Sequence, residues 1–368
     1  MQITLSCPIH SSYRVLQIAG MFDVPIADKA ERTFCFEPPP LDESWSIGCI
    51  VGPSGSGKST IAKHLFGKNY TGGLTSDRSL WEKNKAVIDN FGDVPVKDIV
   101  SMLTVVGFSS PPSWIKPYSV LSNGEKFRCD LARALLGKTE PQSLDCGESQ
   151  SQSKDCGSVN SLVVFDEYTS VVDRNVAQIA SAALAKGIKC GKIACRFVAV
   201  TCHYDILDWL EPDWVLDTAA GTVSRRLLRR PNIDLEIFRC ERRLWDLFKA
   251  HHYLSGNLAK ICRCYAAFWK GKPVVFCALI PQQGFERRYR VSRIVTLPDY
   301  QGVGMGSAFL DMLAGLYVSQ GYRFSITASH PSVLSHCRRS AYWKAINVMQ
   351  TGSERSHGRA VVSFEWRS

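Results

Sequence analysis

A glycine-rich stretch, Gly52-Pro53-Ser54-Gly55-Ser56-Gly57-Lys58-Ser59-Thr60, stands between an apolar run, Ile47 to Val51, and a helical pattern, Ile61 to Phe66. This order predicts a strand, a glycine loop and a helix, which is the context that a phosphate-binding loop requires. Glycines let the backbone turn its N–H groups inward, and the helix adds its positive N-terminal end. Lys58 is then placed to reach the terminal phosphates of a nucleotide, and the Ser59 hydroxyl to ligate Mg²⁺.

Seven residues of this loop are assigned to nucleotide binding. They are Gly52, Ser54, Gly55, Gly57, Lys58, Ser59 and Thr60. The alternative, a glycine- and serine-rich surface loop, explains neither the complete pattern nor its position between a strand and a helix.

The size and composition are those of an ordinary globular protein. The chain has 368 residues, of which 45% are hydrophobic and 21% charged, and a chain of this length usually divides into two or three domains. Its apolar runs are far shorter than the ~20 residues that a membrane span needs, and the N-terminus lacks the pattern of a signal peptide. We therefore expect a protein without membrane contact in a bacterial or phage-infected cytoplasm.

The positive charge is concentrated in the last third of the chain. Residues 1–230 hold 25 basic and 25 acidic side chains, whereas residues 231–368 hold 19 basic and 9 acidic ones. This asymmetry favours an anionic partner, either nucleic acid or a phosphorylated cofactor. A solvated basic face is the alternative. The arginines expected to contact phosphates, called here the arginine set, are Arg242, Arg243, Arg287, Arg288, Arg338 and Arg339.

The first part of the chain alternates strand and helix patterns. Three short segments before residue 45, the second of them Tyr13 to Met21, predict a small antiparallel sheet. Residues 138–160, rich in Ser, Gln, Asp and Gly, predict a flexible insertion. The buried-type strands Leu162 to Phe165 and Phe197 to Thr201 predict a parallel sheet, whose ligands gather at the carboxyl ends of the strands. Three polar residues follow those ends, namely Asp166, Glu167 and His203.

In their order and spacing, these motifs resemble the ATP-binding-cassette (ABC) ATPases. The phosphate loop matches the Walker A motif of that family, and Leu121 to Glu125 matches its signature motif, with Asn123 at a glycine position. Leu162 to Glu167 matches Walker B with the catalytic glutamate, Ser170 to Asp173 the D-loop, and His203 the switch histidine.

The resemblance assigns a role to each of these polar residues. It implies that Asp166 holds Mg²⁺ through water, that Glu167 polarises the attacking water, and that His203 senses the γ-phosphate. It also implies an ATP-dependent homodimer, in which Ser122 and Gly124 of one subunit complete the nucleotide site of the other. Taken singly, an Asp-Glu pair that caps a helix and a histidine of the core are adequate alternatives.

One feature of the resembled family is missing from this sequence. The Q-loop glutamine should follow the run Ala86 to Phe91, for which we predict a strand, yet no glutamine occurs between Gln17 and Gln142. Asp89 and Asn90 are the candidates to replace it. The departure leaves open how ATP binding is coupled to the helical part of the domain.

The last third predicts a second unit of strands and helices. Asp234 to His252 has helical apolar spacing, and two apolar runs around Lys270-Gly271-Lys272 predict a hairpin. A strand from Arg290 to Leu297 leads into the turn Pro298 to Gly306 and a helix. A strand, a helix from Pro331 to Ala345 and a final strand follow.

This order resembles the acyl-CoA N-acyltransferase (GNAT) fold, on the motif Gln301-x-x-Gly304-x-Gly306 between a strand and a helix. Glycine N–H groups at a helix N-terminus suit a pyrophosphate, so Gln301, Gly304 and Gly306 are expected to bind acetyl-CoA or another acyl-CoA. Tyr342, on the predicted helix after the next strand, resembles the family's general-acid tyrosine, which would protonate a leaving thiolate. An aromatic residue of an amphipathic helix is the alternative there.

A local motif near the start of this unit, His251-His252-Tyr253, resembles the phage DNA-modifying Mom proteins when it is taken with the basic character. That family is a divergent acyltransferase-like one that alters adenine. The resemblance implies that His252 and Tyr253 lie in the active site, with an iron ion nearby. The alternative is a histidine that ends a helix and interacts with its dipole.

The sequence therefore predicts an α/β protein with two domains. Residues 1–225 form a P-loop NTPase of the ABC ATPase type, and residues 226–368 a GNAT-like α+β acyltransferase domain. The first hypothesis is an enzyme in which hydrolysis of Mg·ATP drives or gates modification of a nucleic-acid base. The second is an acetyl-CoA-dependent transferase that acts on a protein or small molecule under ATP control. The third is an ATPase clamp whose basic domain only binds nucleic acid.

Overall fold

The computed structural model describes residues 1–22, 24–25, 29–73, 81–137, 161–225, 232–252, 257–282, 284–350 and 360–367. Their strands form one sheet of two strands, one of six and one of seven. The predicted flexible insertion, residues 138–160, and the predicted domain boundary at residue 226 lie outside the described residues.

The N-terminal sheet has two antiparallel strands, β1 (Gln2–Pro8) and β2 (Lys29–Cys35). The prediction of a third strand at Tyr13 to Met21 is wrong, because that segment forms helix α1 (Tyr13–Phe22). None of the residues of α1 is buried. The helix satisfies the backbone hydrogen-bonding groups of this exposed segment within the segment itself.

The six-stranded sheet contains the strand that precedes the glycine-rich loop. Its members are β3 (Ile47–Val51), β4 (Tyr70–Gly73), β5 (Leu162–Asp166), β6 (Arg196–Thr201), β7 (Trp214–Asp217) and β8 (Thr222–Arg225). Their order is β4-β5-β6-β3-β7-β8, and only the pairing of β7 with β8 is antiparallel. The parallel sheet predicted for this part is therefore present, with the carboxyl ends of β3, β5 and β6 along one edge.

Six helices belong to this part of the chain. They are α2 (Lys58–Phe66), α3 (Val96–Val105), α4 (Pro111–Trp114), α5 (Asn123–Leu136), α6 (Arg174–Lys189) and α7 (Leu207–Leu210). The strand predicted at Ala86 to Phe91 is instead a 3₁₀ turn, Val87–Phe91. The Asn90 side chain stabilises this turn, because its amide donates to the Ala86 carbonyl and accepts from the Glu82 N–H, both at 2.8 Å.

The seven-stranded sheet occupies the last third of the chain. Its strands are β9 (Glu236–Cys240), β10 (Arg263–Trp269), β11 (Lys272–Pro281), β12 (Arg288–Thr296), β13 (Arg323–Ala328), β14 (Trp343–Gln350) and β15 (Ala360–Trp366). Their order is β14-β15-β13-β12-β11-β10-β9, and only β12 and β13 run parallel. The predicted hairpin is confirmed, with Trp269 paired to Lys272 and positive φ at Lys270 and Gly271, as a two-residue turn requires.

The helices here are α8 (Trp245–Phe248), α9 (Met305–Ser319) and α10 (Pro331–Arg339). Two helix predictions need correction. The segment Asp234 to His252 is divided between β9 and α8, because its first half pairs with β10. The helix expected to reach Ala345 ends at Arg339, because Trp343 begins β14 and its buried indole donates to the Asp311 carboxylate at 2.8 Å.

Helix α6 joins the two large sheets through apolar contacts. Its residues Ile179 and Ala182 belong to the same buried cluster as the core of the seven-stranded sheet. Trp209, after β6, meets Trp269 edge-on at 6.0 Å, and Trp269 meets Tyr300 in the same way at 6.0 Å. The turn after β12 is therefore packed directly on the part of the chain that contains the six-stranded sheet, called here the ATPase-like part after the resemblance of its sequence motifs. Within the described residues, no helix is long and apolar enough to span a membrane.

Candidate functional site

The glycine-rich loop leaves β3 and enters α2 in a conformation that depends on glycine. Gly55 and Gly57 have φ of 77° and 87°, in the left-handed region that side chains disfavour. A Cβ on Gly57 would lie 2.4 Å from the Phe34 ring, and one on Gly52 would lie 2.1 Å from Thr218 Oγ1. The loop therefore ends at the first turn of α2 with that turn's N–H groups free of intrahelical partners, which is the geometry that binds anions.

The other predicted loop residues lie in the loop or in the first turn of α2. Lys58 donates from Nζ to the Pro53 carbonyl at 2.7 Å, so its side chain bends back over the loop. Ser54 is exposed on the loop, and Ser59 and Thr60 stand in the first turn of α2, half-buried. The structure thus brings together a cation, several amides and two hydroxyls around one short turn.

Asp166 ends β5 and is buried, with both carboxylate oxygens bonded. Oδ1 accepts from the Glu167 N–H at 2.8 Å, and Oδ2 accepts from the Tyr70 hydroxyl. Burial and the Asp166 carboxylate raise the pKa of Tyr70, and the nearby Ser59 side chain lowers it. Tyr70 therefore lies near both residues predicted to hold Mg²⁺. A carboxylate and a hydroxyl that converge in this way fit Mg²⁺, which prefers oxygen ligands.

Tyr70 was not among the residues predicted from the sequence. It lies in a polar stretch without a motif, 96 positions from Asp166. Only the parallel pairing of β4 with β5 brings it to the site.

Glu167 is exposed at the end of β5, in a strained turn. Glu167 and Thr169 have φ of 50° and 67°, which residues other than glycine rarely adopt. The Ser170 hydroxyl donates to the Glu167 carbonyl. Strain of this kind is concentrated at functional sites, and here it presents a carboxylate to solvent beside the buried Asp166.

His203 follows β6 and lies within electrostatic range of the phosphate loop. The backbone N–H of His203 donates to Thr201 Oγ1 at 3.1 Å. Burial lowers the pKa of His203, and the Arg174 and Lys58 cations lower it further. The imidazole is therefore neutral at neutral pH and can donate one hydrogen bond and accept another.

The signature segment begins α5 with a capping box. Ser122 Oγ accepts from the Glu125 N–H at 3.3 Å, and the Glu125 carboxylate accepts from the Ser122 N–H at 3.0 Å. Ser122 is exposed, whereas Gly124 is buried. A Cβ on Gly124 would lie 3.0 Å from Asp299 Oδ1, so the signature touches the turn of the second sheet.

The candidates for the missing Q-loop glutamine are placed differently from each other. The Asn90 amide is used within its own turn, and Asp89 is exposed. Neither is bonded to the phosphate loop.

The turn between β12 and α9 also depends on glycine. Gly304 caps α9 with φ 100°, and a Cβ on Gly306 would lie 2.5 Å from Thr296 Oγ1. The Lys186 ammonium lies 3.5 Å from the position that a Cβ on Gly304 would take. A cavity of about 390 Å³ opens here, lined by Gly304 and Met305 on one side and by Glu211 and Asn232 among others. Of the three residues predicted to hold a pyrophosphate, Gly304 thus lines a cavity at the N-terminus of α9, whereas Gln301 and Gly306 do not line it.

Strands β12 and β13 separate at this edge of the sheet. Their parallel pairing runs from Arg288 opposite Arg323 to Val291 opposite Ile326, although β12 continues to Thr296. The backbone groups of the last residues of β12 and β13, after Val291 and Ile326, are therefore not paired with each other. An open wedge between two strands can receive an extended chain that carries its own amides.

Gln301 is placed at the mouth of this wedge and is already bonded. Its Nε2 donates to the Thr296 carbonyl at 2.8 Å, and its Oε1 accepts from the Ser109 N–H at 2.5 Å. The side chain is buried, with 9% exposed. Gln301 therefore binds the ATPase-like part in this structure, which the sequence motif does not predict.

The predicted residues of the transfer step are not brought together. Tyr342 lies beyond the end of α10, 52% exposed and stacked on Trp366 at 4.8 Å. Because β15 runs antiparallel to β13, that position is at the opposite end of the sheet from Gln301. The prediction that Tyr342 lies on a helix is wrong, and its position argues against protonation of a thiolate at the wedge.

The His252 imidazole is buried against the Trp245 ring at 5.8 Å. Tyr253, which was predicted to accompany it, lies outside the described residues. In the part of the chain that the structure describes, no group of three or more His, Cys, Asp or Glu side chains could hold a metal ion. The described residues thus offer no such ligand group for the predicted iron ion.

Three members of the arginine set have internal contacts. Arg242 donates to the Lys260 and Leu258 carbonyls at 2.7 and 3.2 Å, and Arg339 Nε donates to the Ser335 carbonyl at 3.1 Å. Arg288 is buried beside Glu365, at 3.5 Å. Arg242, Arg339 and the other members are exposed, so at most five of the six are placed for contact with a polyanion.

Comparison with known proteins finds similarity at the level of structures. No family model matches this chain, and no curated protein matches it. Similar solved structures include the IAA acetyltransferase from Bacillus cereus, with 12% identity over 36% of this chain and 99% of that one, at a TM-score of 0.29. The ribosomal-protein-S18-alanine N-acetyltransferase from Escherichia coli has 15% identity, over 36% of this chain and 93% of that one, at 0.31.

A third similar structure is a Bacillus subtilis acetyltransferase in complex with CoA, with 14% identity over 37% of this chain and 99% of that one, at a TM-score of 0.29. All three are acetyltransferases that match about a third of the present chain. At these TM-scores and identities, the similarity does not establish a family for this chain.

Proposed function

We propose that the chain couples ATP binding and hydrolysis in residues 1–225 to an acyl-CoA-dependent transfer in residues 226–368. The observation that supports the ATPase best is the convergence at one sheet edge. The phosphate loop follows β3, Asp166 ends β5 beside Ser59, and His203 follows β6. Parallel strands gather ligand groups at their carboxyl ends, and these are the groups that phosphoryl transfer to water requires.

Each residue of the ATP site has a distinct role in this proposal. Lys58 and the amides of the loop hold the phosphates. Ser59 and Asp166 would hold Mg²⁺, which supplies positive charge beside the phosphate oxygens. Glu167, exposed at the end of β5, orients the attacking water and accepts its proton. His203, which is neutral, hydrogen-bonds the γ-phosphate.

The donor proposal uses the cavity and the wedge of the second sheet. An acyl-CoA carries a pyrophosphate at one end and an arm that contains amides. The N-terminus of α9, with Gly304 and the nearby Lys186 ammonium, suits the pyrophosphate. Backbone groups of β12 beyond Val291 can pair with the amides of the arm on the side that faces β13.

For the acceptor we propose a nucleic-acid base. The support is the charge of residues 231–368, with 19 basic against 9 acidic side chains, together with the five exposed members of the arginine set. A protein or small-molecule acceptor is the alternative, and a purely binding role for the second sheet is another. Mass spectrometry of nucleosides from DNA of cells that express the protein distinguishes them, because only the proposed acceptor gives a modified nucleoside.

The ATPase is tested by phosphate release with Mg²⁺ and ATP. Glu167→Gln should bind ATP normally and slow its hydrolysis by about a hundredfold or more, the usual contribution of a general base. The control is Glu31→Gln, which removes an exposed carboxylate from β2 and should keep the wild-type rate. Undiminished hydrolysis by Glu167→Gln would refute the assignment.

A further inference from the structure

A chain of hydrogen bonds closes the mouth of the wedge between β12 and β13. It begins at the Thr296 carbonyl, which accepts from Gln301 Nε2, and continues through Gln301 Oε1 to the Ser109 N–H. The Ser109 carbonyl then lies 3.2 Å from Nε2 of His330, two positions after β13. One residue of the ATPase-like part therefore links the ends of the two separated strands.

The tautomer of His330 is set by its second bond. Nδ1 accepts from the Ser332 N–H at 3.3 Å, so Nε2 carries the proton and donates to the Ser109 carbonyl. Burial lowers the pKa of His330, which keeps the ring neutral. The Ser109 peptide is thus held from both sides by neutral hydrogen bonds.

The backbones on either side of the contact approach more closely than side chains would permit. Gly107 and Gly302 both have positive φ, 88° and 91°. A Cβ on Gly302 would lie 2.9 Å from Gly107 Cα, and one on Gly107 would lie 2.9 Å from the Gln301 carbonyl oxygen. Ser110 is fully buried. The segment Gly107–Ser110 is therefore inserted at the mouth of the wedge.

We propose that the segment Gly107–Ser110 is an autoinhibitory latch that closes the wedge to the acyl-CoA arm. Gln301 then holds the latch, and its side chain does not bind the pyrophosphate. The inference rests on the proposed function, because it concerns access of the donor. The latch follows α3 and precedes α4, so rearrangement of these helices in the ATPase-like part withdraws it.

The latch can be released without disturbing the ATP site. Gln301→Met keeps the volume of the side chain and removes its hydrogen bonds. Loss of the bond to Ser109 should shift the balance toward the open wedge by about fivefold, the effect of one neutral hydrogen bond. Titration of the full chain with acetyl-CoA should then show affinity about fivefold tighter than wild type. If Gln301 instead bound the pyrophosphate, Gln301→Met should bind acetyl-CoA more weakly than wild type.

A second variant opens the contact by steric means. Gly107→Ala places a methyl group against the Gln301 carbonyl and should also tighten acetyl-CoA binding. Gly191→Ala is its matched control, since Gly191 also has positive φ, 68°, yet a Cβ there meets nothing within 4 Å. The control should bind acetyl-CoA like wild type.

Hydrogen–deuterium exchange of the peptide that contains Ser109 reports the latch independently of the donor. Faster exchange and tighter binding in Gln301→Met support the latch. Weaker or unchanged binding in a variant whose exchange is faster refutes the latch and leaves the donor proposal intact. Absence of acetyl-CoA binding in every protein, including the variants with faster exchange, refutes the proposed donor and the latch with it.

Discussion

Replacement of Lys58 by alanine should weaken ATP binding by roughly two orders of magnitude. The ammonium has three N–H donors, and the Pro53 carbonyl takes one of them at 2.7 Å. Two donors remain for phosphate oxygens. A hydrogen bond between charged groups contributes about 1.5 to 3 kcal/mol, and the lower value applies because Lys58 is half-exposed. Two such bonds amount to about 3 kcal/mol, or roughly 150-fold in the dissociation constant.

The assay is calorimetric titration of ATP into the full chain with Mg²⁺. The control is Lys97→Ala, which removes an equal charge from the first turn of another helix, α3, where the side chain is exposed. It should change ATP affinity by less than about threefold, because exposed charges contribute little at a distance. If Lys58→Ala binds ATP as tightly as Lys97→Ala does, the phosphate-loop assignment is wrong. Thermal melts of both variants should resemble wild type, which excludes unfolding as the cause.

Four further predictions concern stability, pH, salt and assembly. Arg128→Met should leave the free energy of unfolding unchanged or raise it by about 1 kcal/mol, because the guanidinium is fully buried and its hydrogen bonds to Gly124 and Asp299 are long, at 3.4 Å. A large decrease in the free energy of unfolding, measured by urea melts, would contradict this. The pKa of His330 is lowered in the folded protein, so the neutral ring stabilises the fold above about pH 6.5, and this contribution is lost as the pH falls below that value. His330→Gln should therefore flatten the decline of Tm between about pH 7 and pH 5. An unchanged slope of Tm against pH would count against this role of His330. With five exposed members of the arginine set, the log–log salt slope of duplex DNA binding should be no steeper than about −4.5. Binding that does not depend on salt would refute a phosphate-contacting surface. Light scattering of Glu167→Gln should show a dimer with ATP and a monomer without it, whereas one mass under both conditions would argue against ATP-dependent dimerisation.

The secondary structure around the proposed ATP site follows closely from local sequence. Gly52 to Thr60 forms a strand-to-helix turn because its glycines are needed within the turn itself, over a few residues. The run Leu162 to Phe165 is buried and ends at Asp166 as predicted, because an unbroken apolar run suits only a strand that is covered on both faces. The position of the motifs on the sheet edge then follows from parallel pairing.

In the second half of the molecule, contacts between residues far apart in sequence determined the secondary structure. Tyr342 was placed on a helix by its spacing, yet the burial of Trp343 against Asp311 ends the helix at Arg339. The local pattern there was compatible with two structures, and packing with distant residues selected one.

Sequence alone determined that a glycine-rich loop between a strand and a helix, a buried aspartate and a glycine turn before α9 exist, since each is a short-range pattern of residue types. Only the tertiary structure decided what these groups touch. Tyr70 reaches Asp166 across 96 positions, and Ser109 reaches Gln301 across 192. A motif specifies the conformation of its own backbone, whereas the partner of a side chain depends on which distant segment the fold brings beside it. For that reason Gln301 matches a donor-binding motif and yet is bonded to the ATPase-like part.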